Sequence, residues 1–197
     1  MGIAGNFRMV PRLSGASMGP RGHVAAPWLL LGLLLLPGLT ACQPAGTRPD
    51  LPAVTEPPSN AAESSRKYAP VIDGIRKALE DEFPGIAWQA TGPADMGPRA
   101  DGDCMLMLPR YHSDGDIVGV SNEFQKVMDA INPVLEPNGF SAVSVLDEGS
   151  NGWWSVTSGN AQGAKVGISG RAKVTLRLDV PVDSASCSAD ELTGLSP

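Results

Sequence analysis

The stretch Lys173-Val174-Thr175-Leu176-Arg177-Leu178-Asp179-Val180 alternates polar and apolar side chains without a break. Successive side chains of a β-strand point to opposite faces of the sheet, so this alternation predicts a strand with one buried face and one exposed face. Sheets that are covered on one side only, usually antiparallel, have strands of this kind. The stretch therefore predicts a domain built on such a sheet.

Three further strands are predicted just before it, at residues 140–146, 153–158 and 164–169. Glycine-rich segments separate them, of which Gly149-Ser150-Asn151-Gly152 is the first, and such segments favour turns. The four strands follow one another through short connections. They are therefore predicted to form an antiparallel meander.

Two amphipathic helices are predicted upstream, over residues 65–82 and 122–135. In both, apolar residues recur at spacings of three and four, which places them on one helix face. Pro84-Gly85 and Pro137-Asn138-Gly139 end the two helices. The stripes consist of Tyr68, Val71, Ile72, Ile75, Leu79 and Phe83 in the first helix and Phe124, Val127, Met128, Ile131 and Leu135 in the second.

Between the helices the sequence predicts a short strand over 86–90 and a strand over 104–109 that is apolar on both faces and hence central. Residues 91–102 and 110–119 are polar and are predicted to be loops. The order of elements is helix, strands, helix, meander. It predicts an α+β fold, a two-layer sandwich with two helices on one face of a mainly antiparallel sheet.

The N-terminal part of the chain has the features of an export signal. Residues 28–36 are an apolar run of nine, too short for a transmembrane helix, and Arg8, Arg12 and Arg21 precede it. Leu39-Thr40-Ala41-Cys42 then matches the lipobox pattern. Residues 1–41 are therefore predicted to be a lipoprotein signal peptide, with Met18 as an alternative start to Met1.

Cys42 is the predicted site of lipidation. Two or three acyl chains, such as palmitate, hold a protein stably on a membrane, whereas one chain does so only marginally. The expected location is the extracytoplasmic face of the cell membrane. Residues 42–64, rich in proline, are predicted to be an extended linker, and 65–197 a single domain.

The net charge of the chain after removal of the signal limits the classes of partner that are expected. Removal of three arginines with the signal leaves 12 Lys and Arg against 21 Asp and Glu, a net charge of −9. Phosphate contacts require a basic face, so nucleic acid is not an expected partner. The expected partners are the membrane through the lipid, and an envelope protein or ligand.

Cys104 and Cys187 are the two cysteines that remain after Cys42. Outside the cytoplasm an even number of cysteines favours a disulfide. In the loop-entropy estimate, a disulfide that closes a loop of this length stabilises the folded protein by about 4–5 kcal/mol. The alternative is a redox or metal pair. That alternative lacks a Cys-x-x-Cys spacing and a supply of histidines.

The lipobox, the Pro-rich linker, two amphipathic helices, the two cysteines and Trp153-Trp154-Ser155-Val156 form a recognisable layout. The layout resembles that of small actinobacterial, mycobacterial-type envelope lipoproteins of the LppA-like type. The resemblance implies an envelope lipoprotein of unassigned function. It carries over no catalytic or binding residues.

Candidate catalytic groups are few. His112, the only histidine after the signal, stands beside Asp114 and Asp116, so a hydrolase that uses His112 is the alternative function. The Asp-Gly-Asp loops at 101–103 and 114–116 are predicted to be ordinary turns rather than weak calcium sites. Glu80-Asp81-Glu82 is predicted to be a solvated helix end. No catalytic residue, metal or cofactor is predicted.

Trp153 and Trp154 are the predicted contact residues. Neighbours in a strand face opposite sides, so one ring should enter the core and the other should lie outside. An outward Trp is a candidate partner contact, and the alternative is that a neighbouring loop covers it. The main hypothesis is a non-catalytic binding or structural module of the envelope. A carrier of apolar ligands is less favoured because a domain of this size leaves little room for a cavity.

Overall fold

The computed structural model describes residues 50–117 and 124–193. The predicted signal peptide, Met18, Cys42 and the predicted helix start at Asn122 lie outside these residues. Two helices are present, α1 (Ala61–Glu82) and α2 (Phe124–Leu135). The strands are β1 (Trp88–Ala90), β2 (Asp95–Pro98), β3 (Cys104–Met107), β4 (Tyr111–Ser113), β5 (Asp147–Glu148), β6 (Trp154–Gly159), β7 (Lys165–Gly170) and β8 (Val174–Val182).

The eight strands form one sheet in the order β1-β4-β8-β7-β6-β5, with β3 also paired to β8 and β2 paired to β3. Every ladder is antiparallel. β8 is the longest strand: β7 pairs with one of its edges, while β4 and β3 share the other. The stretch that begins at Val174 is therefore the centre of the sheet, because three strands pair with it.

The helices pack on one face of the sheet, which confirms the α+β fold. Leu176 and Leu178 of β8 are fully buried, as are Ile75 and Leu79 of α1. The two helices approach closely at Gly74, where a Cβ atom would lie 3.1 Å from Val134 Cγ1. The apolar stripes of the two helices and the inward face of the meander thus form one core.

The first helix starts at Ala61, four residues before the predicted start at Ser65. The side chain of Asn60 caps it by accepting a hydrogen bond of 2.9 Å from the backbone N–H of Glu63. Asn60 also forms a parallel bridge with Asp183. Ahead of it, the backbone N–H of Thr55 donates to the carbonyl of Ala161 over 2.9 Å. Residues 50–60 of the predicted linker are thus outside any helix but rest against the domain, whereas its last four residues, 61–64, belong to α1.

The prediction of a strand over residues 140–146 is wrong. Only Phe140 makes a bridge, to Asn160. Further along, Val143 N donates to Asn132 Oδ1 over 2.8 Å, and Asn132 Nδ2 donates to Val143 O over 3.0 Å. A side-chain amide of α2 therefore takes the hydrogen bonds that a neighbouring strand would have made, and β5 begins only at Asp147.

Two segments predicted to be loops contain strands, β2 and β4. β2 pairs with β3 over four residues, and β4 lies between β1 and β8. The sequence pattern does not predict these two strands, because only one side of each is buried and their residues are mostly polar. Pairing with established strands, rather than local propensity, makes these segments extended.

The predicted disulfide between Cys104 and Cys187 is present and is confirmed. Its Cα atoms are 5.5 Å apart, and 83 positions of sequence separate the two residues. It joins the start of β3 to the segment that follows β8. Within the described ranges, no helix has the length and apolar character needed to cross a bilayer.

Candidate functional site on the open sheet face

The face of the sheet away from the helices carries a continuous row of polar side chains. The strand registers pair Gln89 with His112, His112 with Thr175, Thr175 with Ser169, Ser169 with Ser155, and Ser155 with Asp147. Thr175, Ser169 and Ser155 each stand between two buried neighbours, so their side chains face away from the core. Residues paired directly across a ladder lie on the same face of a sheet, so all six lie on this outer face. We call them the polar row; it crosses six strands.

Beside the polar row, Arg177 lies flat on the sheet. Arg177 is paired in register with Gly167, and a Cβ atom on Gly167 would come within 2.9 Å of Arg177 Nε. The absence of a side chain at Gly167 therefore leaves space for the guanidinium. Arg177 Nε also lies 3.8 Å from Asp179 Oδ2 on the same strand.

The two adjacent tryptophans have separate environments. Trp154 is only 5% exposed and packs edge-on against Phe124, with 5.7 Å between ring centroids. Trp153 is 53% exposed and immediately precedes β6. The alternation that turns Trp154 into the core turns Trp153 to the outer side, so its indole is available at the end of the sheet.

Two cations lie at this end of the sheet, where the exposed Glu148 is also paired in register with Trp154. Trp154 is paired with Gly170, and Gly170 with Val174, so the turn carrying Arg171 and Lys173 lies at the same end as Trp153. A Cβ atom on Gly152 would be 4.0 Å from Arg171 Nε. Both cations are exposed, and neither forms an ion pair with a described residue.

His112 lies on β4 with its side chain exposed on the outer face. The adjacent Ser113 is buried; its Oγ accepts from Val174 N over 2.8 Å and donates to Gly115 O. Asp114 Oδ1 accepts from the backbone N–H of Ala87 over 3.0 Å. Ser113 and His112 face opposite sides of the sheet, so the structure does not bring these two neighbours together as a nucleophile and base.

The acidic loops serve local structure. Asp101 accepts a hydrogen bond from Asp103 N over 3.3 Å and lies 3.4 Å from Arg99 Nη2. Glu80, at the predicted solvated end of α1, accepts a hydrogen bond of 2.7 Å from Arg76, which lies one turn earlier in the same helix. In the part of the chain that the structure describes, no group of three or more His, Cys, Asp and Glu side chains is placed to hold a metal ion.

A group of polar side chains that the sequence analysis did not identify joins β4 to α1. Tyr111 Oη donates to Asp73 Oδ1 over 2.8 Å, and the guanidinium carbon of Arg76 lies 5.4 Å from the centre of the Tyr111 ring. Burial, followed by the hydrogen bond to Asp73, raises the pKa of Tyr111. Burial lowers the pKa of Arg76, but the hydrogen bond to Glu80 and the charges of Glu80, Tyr111 and Asp73 together outweigh it, so the pKa is raised. The spacing of Asp73 and Arg76 on one helix face was the available signal.

A small cavity of about 190 Å³ opens where β3 and β4 diverge along β8. It is lined by Thr91, Gly92, Pro93, Asp95, Met107, Leu108 and Arg110. Arg110 Nη2 lies 3.6 Å from Met107 Sδ, so one cation and the carboxylate of Asp95 flank an otherwise neutral recess. A cavity of this volume holds a few waters or a small group rather than a drug-sized ligand.

No protein-family model matches the chain, and none of the curated proteins matches it. The fold is similar to that in the crystal structure of a DUF4853 family protein from Actinomyces odontolyticus, with a TM-score of 0.53. The two are 12% identical in sequence, and the match covers 75% of this chain and 81% of the other. At this identity the likeness concerns the fold alone.

Proposed function

We propose that this protein is a lipid-anchored module of the cell envelope, on the extracytoplasmic face of the membrane, that binds a partner without catalysis. The observation that carries the proposal is the exposed indole of Trp153 next to the polar row. Exposed tryptophans are over-represented among residues that dominate binding energy. The layout shared with LppA-like envelope lipoproteins supports the same assignment.

Two features support the location. Leu39-Thr40-Ala41-Cys42 follows an apolar run of the length found in secretory signals. The Cys104–Cys187 bond belongs to an oxidising compartment, because cytosolic thiols are kept reduced. Lipidation of Cys42 then provides the anchor, since two acyl chains suffice for stable attachment.

Replacement of Cys42 by Ala tests the anchor. We expect the Cys42→Ala variant to leave the membrane fraction, or to accumulate unprocessed, while the wild-type protein stays with membranes after a high-salt wash. Mass spectrometry of the wild-type N-terminus should find acyl chains on Cys42. A Cys42→Ala protein that is processed normally and remains on membranes would contradict the proposal.

The binding role is tested by crosslinking on intact cells. We expect Trp153→Ala to reduce crosslinked product while leaving the melting temperature unchanged, because the side chain is more than half exposed. Val54→Ala is the matched control, since Val54 is an exposed apolar residue, 65% accessible, that lies beside Gly163 in the turn between β6 and β7, at the other end of β6. Equal crosslinking by wild type and Trp153→Ala would remove the support for this surface.

A hydrolase that uses His112 is the competing function. If the protein is a binding module, His112→Ala should leave the fold unchanged and should reduce crosslinking less than Trp153→Ala does, because His112 lies in the polar row on β4, away from Trp153. A well-folded His112→Ala variant that reproduces the deletion phenotype would replace the binding proposal with the hydrolase.

A further inference from the structure

We propose that the Trp153 end of the open sheet face binds an extended anionic polysaccharide. This inference rests on the proposed binding function and names its ligand class. The surface consists of Trp153, Arg171 and Lys173 at one end of the sheet, continued by the polar row and Arg177. We call these three end residues the Trp153 patch.

The first argument is charge. The strands β5 to β8 with their turns, residues 147–182, contain four cations against Asp147, Glu148 and Asp179, a net charge of +1, whereas the whole chain has a net charge of −6. At the patch, Arg171 and Lys173 are exposed and form no ion pair with a described carboxylate, although Glu148 on the neighbouring strand is paired in register with Trp154. Two exposed cations without an ion-pair partner attract an anion.

The second argument is chemical type. An exposed indole offers a flat apolar surface to the C–H face of a sugar ring. Next to it, Ser155, Ser169 and Thr175 present hydroxyl groups, each of which donates and accepts hydrogen bonds as sugar hydroxyls do. Arg171 and Arg177 supply donors in the planar geometry that suits carboxylate, sulfate or phosphate substituents. This combination suits an acidic sugar, because its ring presents an apolar C–H face together with hydroxyl and acidic groups.

The third argument is length. Neighbouring strands lie about 4.8 Å apart, so the polar row spans about 24 Å from Asp147 to Gln89. A single sugar would cover only a fraction of this row, whereas a chain of several units covers it. The geometry therefore suits a polymer.

Binding of defined polymers to the detergent-purified full-length protein tests the inference. We expect polygalacturonate to bind at least about tenfold more tightly than neutral dextran or poly-glutamate. Dextran lacks the negative charge that the cations of the patch would bind, and poly-glutamate lacks the sugar ring that would stack on the indole. Trp153→Ala and the double variant Arg171→Ala/Lys173→Ala should each weaken this binding about tenfold. Lys77→Ala, which removes an exposed cation on α1, should leave it unchanged.

Several outcomes would overturn the inference. Equal affinity for polygalacturonate and poly-glutamate, or no effect of Trp153→Ala, would reduce the surface to a non-specific anion attractor. Tighter binding to phosphatidylglycerol vesicles than to polygalacturonate would assign the patch to a lipid surface. If no polymer binds but crosslinking on cells still depends on Trp153, the ligand class is wrong while the proposed binding function stands.

Discussion

The side-chain amide of Asn160 donates a hydrogen bond of 2.8 Å to the hydroxyl of Tyr68, although 92 positions separate the two residues. The same hydroxyl donates to Gln162 Oε1 over 2.5 Å. Asn160 Oδ1 accepts from the backbone N–H of Ala164 over 3.0 Å. The turn between β6 and β7 is thus held to the middle of α1 by a buried polar network, on the side of the sheet opposite the polar row.

Removal of the Tyr68 hydroxyl should destabilise the protein. Tyr68→Phe leaves Asn160 Nδ2 buried without its acceptor, and an unsatisfied buried donor costs about 1–3 kcal/mol. Urea denaturation followed by circular dichroism should show a lower midpoint with an unchanged slope.

Tyr111→Phe is the matched control. The hydroxyl of Tyr111 bonds to the exposed carboxylate of Asp73, which water can solvate when the bond is lost. We expect a loss below about 1 kcal/mol. A Tyr68→Phe variant no less stable than Tyr111→Phe would show that the network contributes little.

The disulfide should be a major source of stability. Replacing both Cys104 and Cys187 by Ala opens a loop that spans 83 positions, for which the loop-entropy estimate is about 4–5 kcal/mol. The melting temperature of the wild-type protein should fall on reduction. The double variant should be insensitive to the reductant, and native protein should contain no titratable thiol at either position.

Gly170 should not tolerate a side chain. A Cβ atom there would overlap the carbonyl oxygen of Lys173 and approach Val174 Cα to 3.0 Å, so Gly170→Ala must displace backbone in the turn of the Trp153 patch. The expected cost is about 1–3 kcal/mol.

Gly97→Ala provides the comparison. The nearest atom to a Cβ on Gly97 is Met107 Cε at 3.8 Å, an ordinary contact. This substitution should be neutral or stabilise by about 0.4–1 kcal/mol through the unfolded chain. Thermal melts should give a lower melting temperature for Gly170→Ala than for Gly97→Ala. Similar melting temperatures for the two variants would contradict the prediction.

Ionisation of Tyr111 at alkaline pH should lower the free energy of unfolding. Its pKa is raised in the folded protein, first by burial and then by the bond to Asp73, so the folded state holds the proton more tightly than the unfolded chain does. The contribution is complete below the unfolded pKa of about 10 and is lost as the pH rises through the folded value.

Unfolding measured at a series of pH values above about 9 tests this, because Tyr111→Phe should lose less stability per pH unit than the wild-type protein. Below that range the two pH profiles should run parallel. Parallel profiles at all pH values would show that Tyr111 ionises alike in the folded and unfolded states.

The predictable parts of the fold are those with a strong local pattern. The apolar stripes of α1 and α2 and the alternation in β6, β7 and β8 follow from periodicity, because each element buries one face. β2 and β4 escaped prediction, since their polar residues become strands only by pairing with β3, β1 and β8. Residues 140–146 show the opposite error, a strand that was predicted but is absent, because the side chain of Asn132 makes the hydrogen bonds that a strand partner would have made.

The candidate site divides in the same way. The pair Trp153 and Trp154 was identified from the sequence, because adjacent residues in a strand face opposite sides, but only the structure shows that Trp153 is the exposed one. Its neighbours Arg171 and Lys173 were not identified, because they approach it only through the pairing of β6 with β7. The polar row likewise depends on the registers of five strand pairs, which connect residues from Gln89 to Thr175.

By itself the sequence determined the class of fold, the core faces of its main elements and the pairing of the two cysteines, since period and composition are local properties of the chain. The tertiary structure alone decided which polar side chains share a face and where the cations meet the exposed indole. Those relations depend on strand order and register. Both are set by the packing of the whole core, which no single segment encodes.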